Sequence, residues 1–171
     1  MAAEEFTLRA IAGSDWRIEA GLSSDPDVLR WTFHPAHMDE DAARERIRHY
    51  ERRSAEGATQ RFVILDGSDR VLGTCGLGRL QEEAPEVFYA LTPWGRGRGA
   101  ATWAVLALVG WAVDHGRPRV RLRIIDGNVA SEKVAARAGF SPRERVEEEH
   151  RGRTVTLTEW SLDTRVVEGG R

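Results

Sequence analysis

The sequence predicts a mixed α/β (α+β) fold with a mostly antiparallel central sheet flanked by helices. Three observations carry this. Two pairs of strand-like runs close on turn clusters: 61–65 with 71–80 around Asp66-Gly67-Ser68-Asp69, and 143–149 with 153–162 around Arg151-Gly152. One strand–loop–helix–strand crossover lies between the two hairpins. The regular β-α alternation that a doubly wound sheet needs from its start is missing.

Each element has a local reason. Residues 6–11 alternate loosely and read as the first strand. Ser14-Asp15 can cap a helix carrying Trp16, Ile18 and Leu22, and Asp25-Pro26-Asp27 restarts a short helical turn through Val28, Leu29 and Trp31. Asp39 is placed to cap a second helix, with Ala43, Ile47 and Tyr50 on one face, and Gly57 ends it. In the hairpin that follows, Gly73, Gly76 and Gly78 weaken the second strand unless something packs closely there. Residues 87–91 form another strand, followed by a glycine-rich loop over 93–99 and a buried helix to about His115-Gly116. The strand over 119–125 has Val120, Leu122 and Ile124 on one face. Asn128 caps a short helix, and Gly139 sits where a left-handed C-cap belongs. The last hairpin completes the order β-α-α-β-β-β-α-β-α-β-β. A single domain over 1–171 is expected, with its core over about 6–162 and frayed ends.

Composition narrows the function. The 171 residues include 25 basic and 27 acidic ones, for a net charge of -2, which argues against a protein that coats nucleic acid. An apolar content of 41% and six tryptophans argue against disorder. Cys75 is the one cysteine, so no internal disulfide framework or cysteine-rich zinc site forms, and no metal is expected. The acidic start Met1-Ala2-Ala3-Glu4-Glu5 is unlike a secretory signal. The longest uncharged run, Gly99 to Val113, has 15 residues and is too short to span a bilayer. A cytoplasmic protein without membrane or nucleic-acid partners is the expectation.

The most informative stretch is Leu91-Thr92-Pro93-Trp94-Gly95-Arg96-Gly97-Arg98-Gly99-Ala100-Ala101-Thr102, between a strand and a helix. Small residues admit an anion close to the backbone N–H groups, and the helix start adds unsatisfied donors and a positive dipole end. Arg96 and Arg98 offer further charge. The stretch satisfies a loose G-x-G-x-x-A dinucleotide pattern, but late in the chain and without the preceding βαβ unit. It lacks the Gly-Lys-Ser/Thr of a Walker loop. It also meets Arg/Gln-x-x-Gly-x-Gly/Ala through Arg96, Gly99 and Ala101. A turn that merely permits tight packing is the bland alternative.

The context of this loop resembles the GNAT superfamily of N-acetyltransferases, and most closely its Rim-type branch, which acetylates ribosomal-protein N-termini. Glu86-Val87-Phe88-Tyr89-Ala90-Leu91-Thr92-Pro93 is similar to that branch's fourth strand, with its leading glutamate and closing proline. Asn128-Val129-Ala130-Ser131 followed by Ala138-Gly139-Phe140 resembles its N-x-x-S…G-F segment. Ser24-Asp25-Pro26-Asp27-Val28 resembles its early helix break, and the hairpin at Arg151-Gly152-Arg153 also fits. The chain departs from the family in two respects: neither Tyr50 nor Tyr89 occupies the place after the second motif where many members carry a proton-donating tyrosine, and Trp103 stands where branch members often carry a polar residue.

The resemblance implies acetyl-CoA as donor and coenzyme A as product. It puts the pyrophosphate on the backbone of Arg96, Gly97, Arg98, Gly99, Ala100 and Ala101. The pantetheine arm pairs with the strand at Ala90 and Leu91, whose backbone N–H polarises the thioester carbonyl. Asn128 holds the arm, and Ser131 lies near the sulfur. Glu86, on one strand face with Phe88 and Ala90, is the first candidate base, and an exposed strand-end glutamate is its plain alternative. Glu148 is the second, against a plain solvated acidic hairpin. Trp31, Phe33 and His34 line the acceptor cleft, against simple loop packing. The amine acceptor is a protein N-terminus or a small molecule, and the chain is a monomer or homodimer. A non-catalytic acyl-CoA-binding module is the reading from another class. The spacing of His34 and His37 is metal-like, but a proline-containing loop holds such ligands poorly. Cys75 reads as a small buried hydrophobe, and Arg121 and Arg123 as an exposed strand face within reach of a phosphate.

Overall fold

The computed structural model describes residues 5–165. Its strands are β1 (Phe6–Ala10), β2 (Gln60–Asp66), β3 (Val71–Gly78), β4 (Glu86–Leu91), β5 (Arg119–Ile125), β6 (Ser141–His150) and β7 (Arg153–Asp163). Its helices are α1 (Trp16–Leu22), α2 (Pro26–Trp31), α3 (Glu40–Ala55), α4 (Ala100–Asp114) and α5 (Val129–Arg137). The strands form one sheet in the order β1-β2-β3-β4-β5-β7-β6, antiparallel throughout except between β4 and β5. The expected mixed, mostly antiparallel sheet is present.

The expected order changes at one point: three helices, not two, separate β1 from β2. Asp25 is the reason. Its Oδ1 accepts from the N–H groups of Asp27 (3.0 Å) and Val28 (2.9 Å), and Pro26 takes the first helical position, so α2 starts afresh instead of continuing α1.

Alternation sorts the core into two layers. On β2, Val63 and Leu65 pack with Ile11 and Ile47 beneath α3, while Ile64 faces the opposite layer. That second, larger layer holds Leu72, Leu77, Val87, Val120 and Leu122 against Val105 and Leu108 of α4. Each such aliphatic side chain contributes about 1.5–3 kcal/mol of burial. The uncharged run is therefore a core helix, and among the described residues no helix is long and apolar enough to cross a membrane. The β3 glycines find a reason at Gly76, where an added Cβ would lie 2.1 Å from the Gln60 carbonyl oxygen and 2.8 Å from the Phe88 ring. β7 runs to Asp163, and the N–H of buried Thr164 donates to the Pro118 carbonyl at 3.1 Å. The acidic start over 1–4 and the closing residues 166–171 lie outside the described residues.

Candidate active site

β4 and β5 are neighbours, yet they pair at one register position, Glu86 with Arg121. Beyond it they diverge, and a wide cleft of about 580 Å³ opens between β4, the loop before α4, and α5. The N–H of Thr92 donates to the Leu72 carbonyl at 2.9 Å. Backbone groups alternate in direction along an antiparallel pair, so Ala90 points its own at β3, while Tyr89 and Leu91 point theirs into the cleft. The amide suited to polarise a carbonyl is thus that of Leu91, not Ala90.

The start of α4 faces the same cleft. Gly99, its N-cap, has φ +87°, and Gly97 has φ +73°, both in the region that favours glycine. No side chain caps this helix, so its first-turn N–H groups remain for a ligand. Arg96, Gly97, Gly99, Ala100 and Ala101 line the cleft, and Arg98 does not. The guanidinium groups of both arginines are engaged with the protein. Arg98 pairs with Asp66 (3.0 Å); Arg96 turns back onto Asp25 (2.6 Å), Asp27 (3.1 Å) and the Leu91 carbonyl (3.2 Å). Both arginines hold the loop, and Arg96 also lines the cleft. Asn128 caps α5, its Oδ1 accepting from the Ser131 N–H at 3.2 Å, and both residues line the cleft.

A second, narrower cavity of about 440 Å³ runs along β4 and β5 and adjoins the wide cleft. Trp31, Phe33 and His34 line it, as do both candidate bases, Glu86 and Glu148. Arg123 joins the two: its Nε lies 3.1 Å from Glu86, and another of its nitrogens bonds Glu148. Arg79 (3.4 Å) and Arg121 (4.0 Å) also approach Glu86. Arg123 therefore serves this carboxylate pair, Arg121 bonds Glu82 at 2.6 Å, and neither arginine lines the wide cleft.

Beneath the cavity, Glu19 is fully buried, with Arg46 at 2.9 Å, Arg61 at 3.1 Å and His34 at 3.6 Å. Burial works to raise its pKa, but Arg61, His34 and Arg46 outweigh it, and the carboxyl is held below its ordinary range. Burial pushes His34 down to about 4, against the pull of Glu19, so its ring is neutral at pH 7. That ring turns inward, with Nε2 3.3 Å from the Glu19 carbonyl oxygen, and supports the wall rather than standing free in it. The β6–β7 turn straps the wall from outside: His150 Nε2 lies 2.9 Å from the Thr32 carbonyl, and Arg151 donates to the carbonyls of Leu29 (2.8 Å) and His34 (2.5 Å). Cys75 is fully buried, and burial pushes its thiol up to about 12, as a small core residue requires.

Residues 5–141 match the acetyltransferase (GNAT) domain family. The chain belongs to the GNAT acetyltransferase family. An uncharacterised N-acetyltransferase of Bacillus licheniformis, p20, is 31% identical over 134 residues, covering 77% of this chain and 73% of the relative. The spermidine N-acetyltransferase of Vibrio cholerae, solved with coenzyme A and spermine, superposes with a TM-score of 0.82 at 19% identity, covering 94% of this chain and 96% of that one. RimL, a ribosomal-protein alpha-N-acetyltransferase solved with coenzyme A, superposes with a TM-score of 0.84 at 17% identity, covering 92% and 93%. These structural likenesses establish the GNAT fold.

Three features of this GNAT chain escape a reading of the sequence alone. Alternation on β5 does set Arg121 and Arg123 on the face opposite Val120 and Leu122, but their meeting with Glu86 and Glu148 depends on which strands become neighbours. The Glu19, Arg46, Arg61 and His34 cluster joins α1, α3, β2 and the loop after α2, with no local spacing to announce it. Tyr89 lines both cavities, which its place within the fourth-strand stretch does not by itself announce.

Proposed function

We propose that this chain moves an acetyl group from acetyl-CoA to the α-amine of a peptide or protein N-terminus, in the manner of the Rim-type enzymes, by direct attack in a ternary complex. The observation behind this reading is that two cavities, one beside free helix-start amides and one beside carboxylates, meet across the open edge of β4. In it, the backbone of residues 96–101 takes the pyrophosphate, Asn128 holds the pantetheine arm, and the Leu91 N–H takes the thioester oxygen. Ser131 faces the sulfur. An α-amine with a pKa near ~8 arrives mostly protonated. Glu86 accepts its proton directly or through one water, with Glu148 as the partner across Arg123. Trp31 and Phe33 form an apolar wall for the acceptor, and coenzyme A leaves as product.

A small amine is the second reading. The charge inventory disfavours a polyamine: Glu86 and Glu148 already share Arg123, and Glu19 is sealed from solvent by its own arginines. Little carboxylate remains to receive a second ammonium.

Thermal unfolding with acetyl-CoA, beside NAD and NADP, tests the donor. Ligand at ~100 times its Kd adds about 2.7 kcal/mol, and acetyl-CoA alone is expected to stabilise. Gly99→Glu puts bulk and negative charge at a left-handed position in the loop and abolishes the shift. Turnover of free-N-terminus peptides against spermidine and aminoglycosides then decides the acceptor, and peptides are expected to win.

A further inference from the structure

Charge is balanced on one side of the narrow cavity and unbalanced on the other. Around Glu86 the charges match: Glu82, Glu86 and Glu148 face Arg79, Arg121 and Arg123. Arg46 on α3 and Arg61 on β2 also line the cavity. Among the described residues, the one carboxylate within ion-pair reach of either is Glu19. His34, the remaining titratable group on that wall, is neutral at pH 7. One positive charge is left over, and the carboxylate between the two arginines is fully buried.

The two groups of charges stand apart across the sheet. Arg61 pairs with Gly76 and Gly76 with Phe88, so Arg61 lies two strands to one side of β4, about 10 Å away. Arg123 and Glu148 lie on the other side of β4, on β5 and β6. Register and alternation put Arg61, Phe88 and Glu86 on one face. Arg61 is fixed there: one of its nitrogens donates to Glu19 (3.1 Å) and to the Thr74 hydroxyl (3.3 Å), and its guanidinium lies 4.2 Å from the Tyr50 ring and 5.0 Å from that of Phe88. Arg46 is less committed. Its side chain keeps 23% exposure and donates from Nε to Glu19 at 2.9 Å. Among the described residues, neither of its terminal nitrogens bonds the protein. A guanidinium offers five N–H donors in a planar fork that matches a carboxylate, and most of this fork is unspent.

We propose that Arg46, with Arg61 behind it, receives a carboxylate of the acceptor, so that the enzyme prefers amines carrying an anionic group a short way from the reacting nitrogen. The proposal rests on the reading that the narrow cavity takes the acceptor. It makes the preferred peptide one with an acidic side chain close to its N-terminus. The amine meets Glu86 on β4, and the carboxylate meets the unspent donors of Arg46 on the β2 side. Glu19 holds both arginines in place and neutralises only one of them. A second ammonium in the carboxylate's place is repelled. A free amino acid offers the same chemistry through its α-carboxylate.

Matched acceptors test this in the wild-type protein. Short, C-terminally amidated peptides carry glutamate or glutamine at the second or third position, and free amino acids are set against their amides. The glutamate peptide is expected to exceed its glutamine twin in kcat/KM by about tenfold or more, chiefly through KM. A preference confined to free amino acids over their amides supports the carboxylate subsite with the α-carboxylate as its source. Equal kcat/KM within every pair overturns the proposal. Arg46→Gln should bring the ratio between twins towards one. A wild-type ratio in folded Arg46→Gln overturns the proposal, because a residue that only holds Glu19 in place affects both twins alike. If Arg46→Gln does not fold, Arg46→Lys keeps a cation without the planar fork; the ratio should then fall several-fold, and an unchanged ratio overturns the proposal. Twins turned over equally defeat this proposal alone. Acetyl-CoA that binds while no primary amine is turned over defeats the acceptor reading as well.

Discussion

His34 and Glu19 show how a buried ionic cluster makes stability depend on pH. His34 titrates near 4 in the fold and near 6.5 unfolded, so the unfolded chain binds the proton first as pH falls. Its contribution is complete above about 6.5, is lost as pH drops towards 4, and amounts to roughly 3 kcal/mol. Glu19, held below its ordinary range, adds a further loss as pH falls below the usual carboxylate values. Urea midpoints are therefore expected to fall steadily from pH 7 to pH 4.5. His34→Gln should flatten that slope, whatever it does to absolute stability; an unchanged slope assigns the pH dependence elsewhere. The candidate bases obey the same local logic. Glu86 and Glu148 are 62 positions apart in the chain, and Arg123 gives them a common partner that neither residue's surroundings in the sequence reveal.

At the scale of elements, the loop before α4 and the start of α2 hold each other. Asp25 caps α2 and receives Arg96 at 2.6 Å, so one carboxylate fixes both a helix start and the lining of the wide cleft. Burial opposes its ionisation, but the Val28 N–H and Arg96 prevail and keep its pKa low. Asp25→Ala should cost about 0.5–2 kcal/mol of stability for the lost cap, and it should weaken acetyl-CoA binding by releasing Arg96. Asp25→Asn retains the cap and should recover most of the stability but not the affinity. Denaturant unfolding and calorimetry separate the two effects, and equal affinity in all three proteins would unlink Arg96 from the loop's shape. The cap itself was readable in Asp25-Pro26-Asp27; its second duty to Arg96, 71 positions later, was not.

For the whole molecule, the consequence is how the two cavities meet. β4 and β5 part after a single pairing, and the two cavities share lining residues at that gap, where the proposed function has donor and acceptor meet. Direct transfer predicts intersecting initial-rate patterns when acetyl-CoA and acceptor are varied together. Mass spectrometry of protein incubated with acetyl-CoA alone should find no kinetically competent acetylated enzyme. Parallel rate lines with an acetylated residue would replace direct attack with a covalent route. Cys75, fully buried in the core, is in no position to serve one.

The sequence by itself determined the strands, the main helices, the caps at Asp25, Asp39 and Asn128, and the glycine-rich start of α4. Each depends on neighbours a few positions away: alternation, helical spacing, a side chain reaching its own helix start, a φ that favours glycine. Tertiary structure alone decided where charge and open space end up. It paired Arg96 with Asp25 and Arg98 with Asp66, and it tied Glu86 to Glu148 through Arg123. It also placed Tyr89 in the lining of both cavities. Those outcomes depend on which strands become neighbours and where two of them part, and a guanidinium goes to whichever carboxylate the fold brings within about 3 Å.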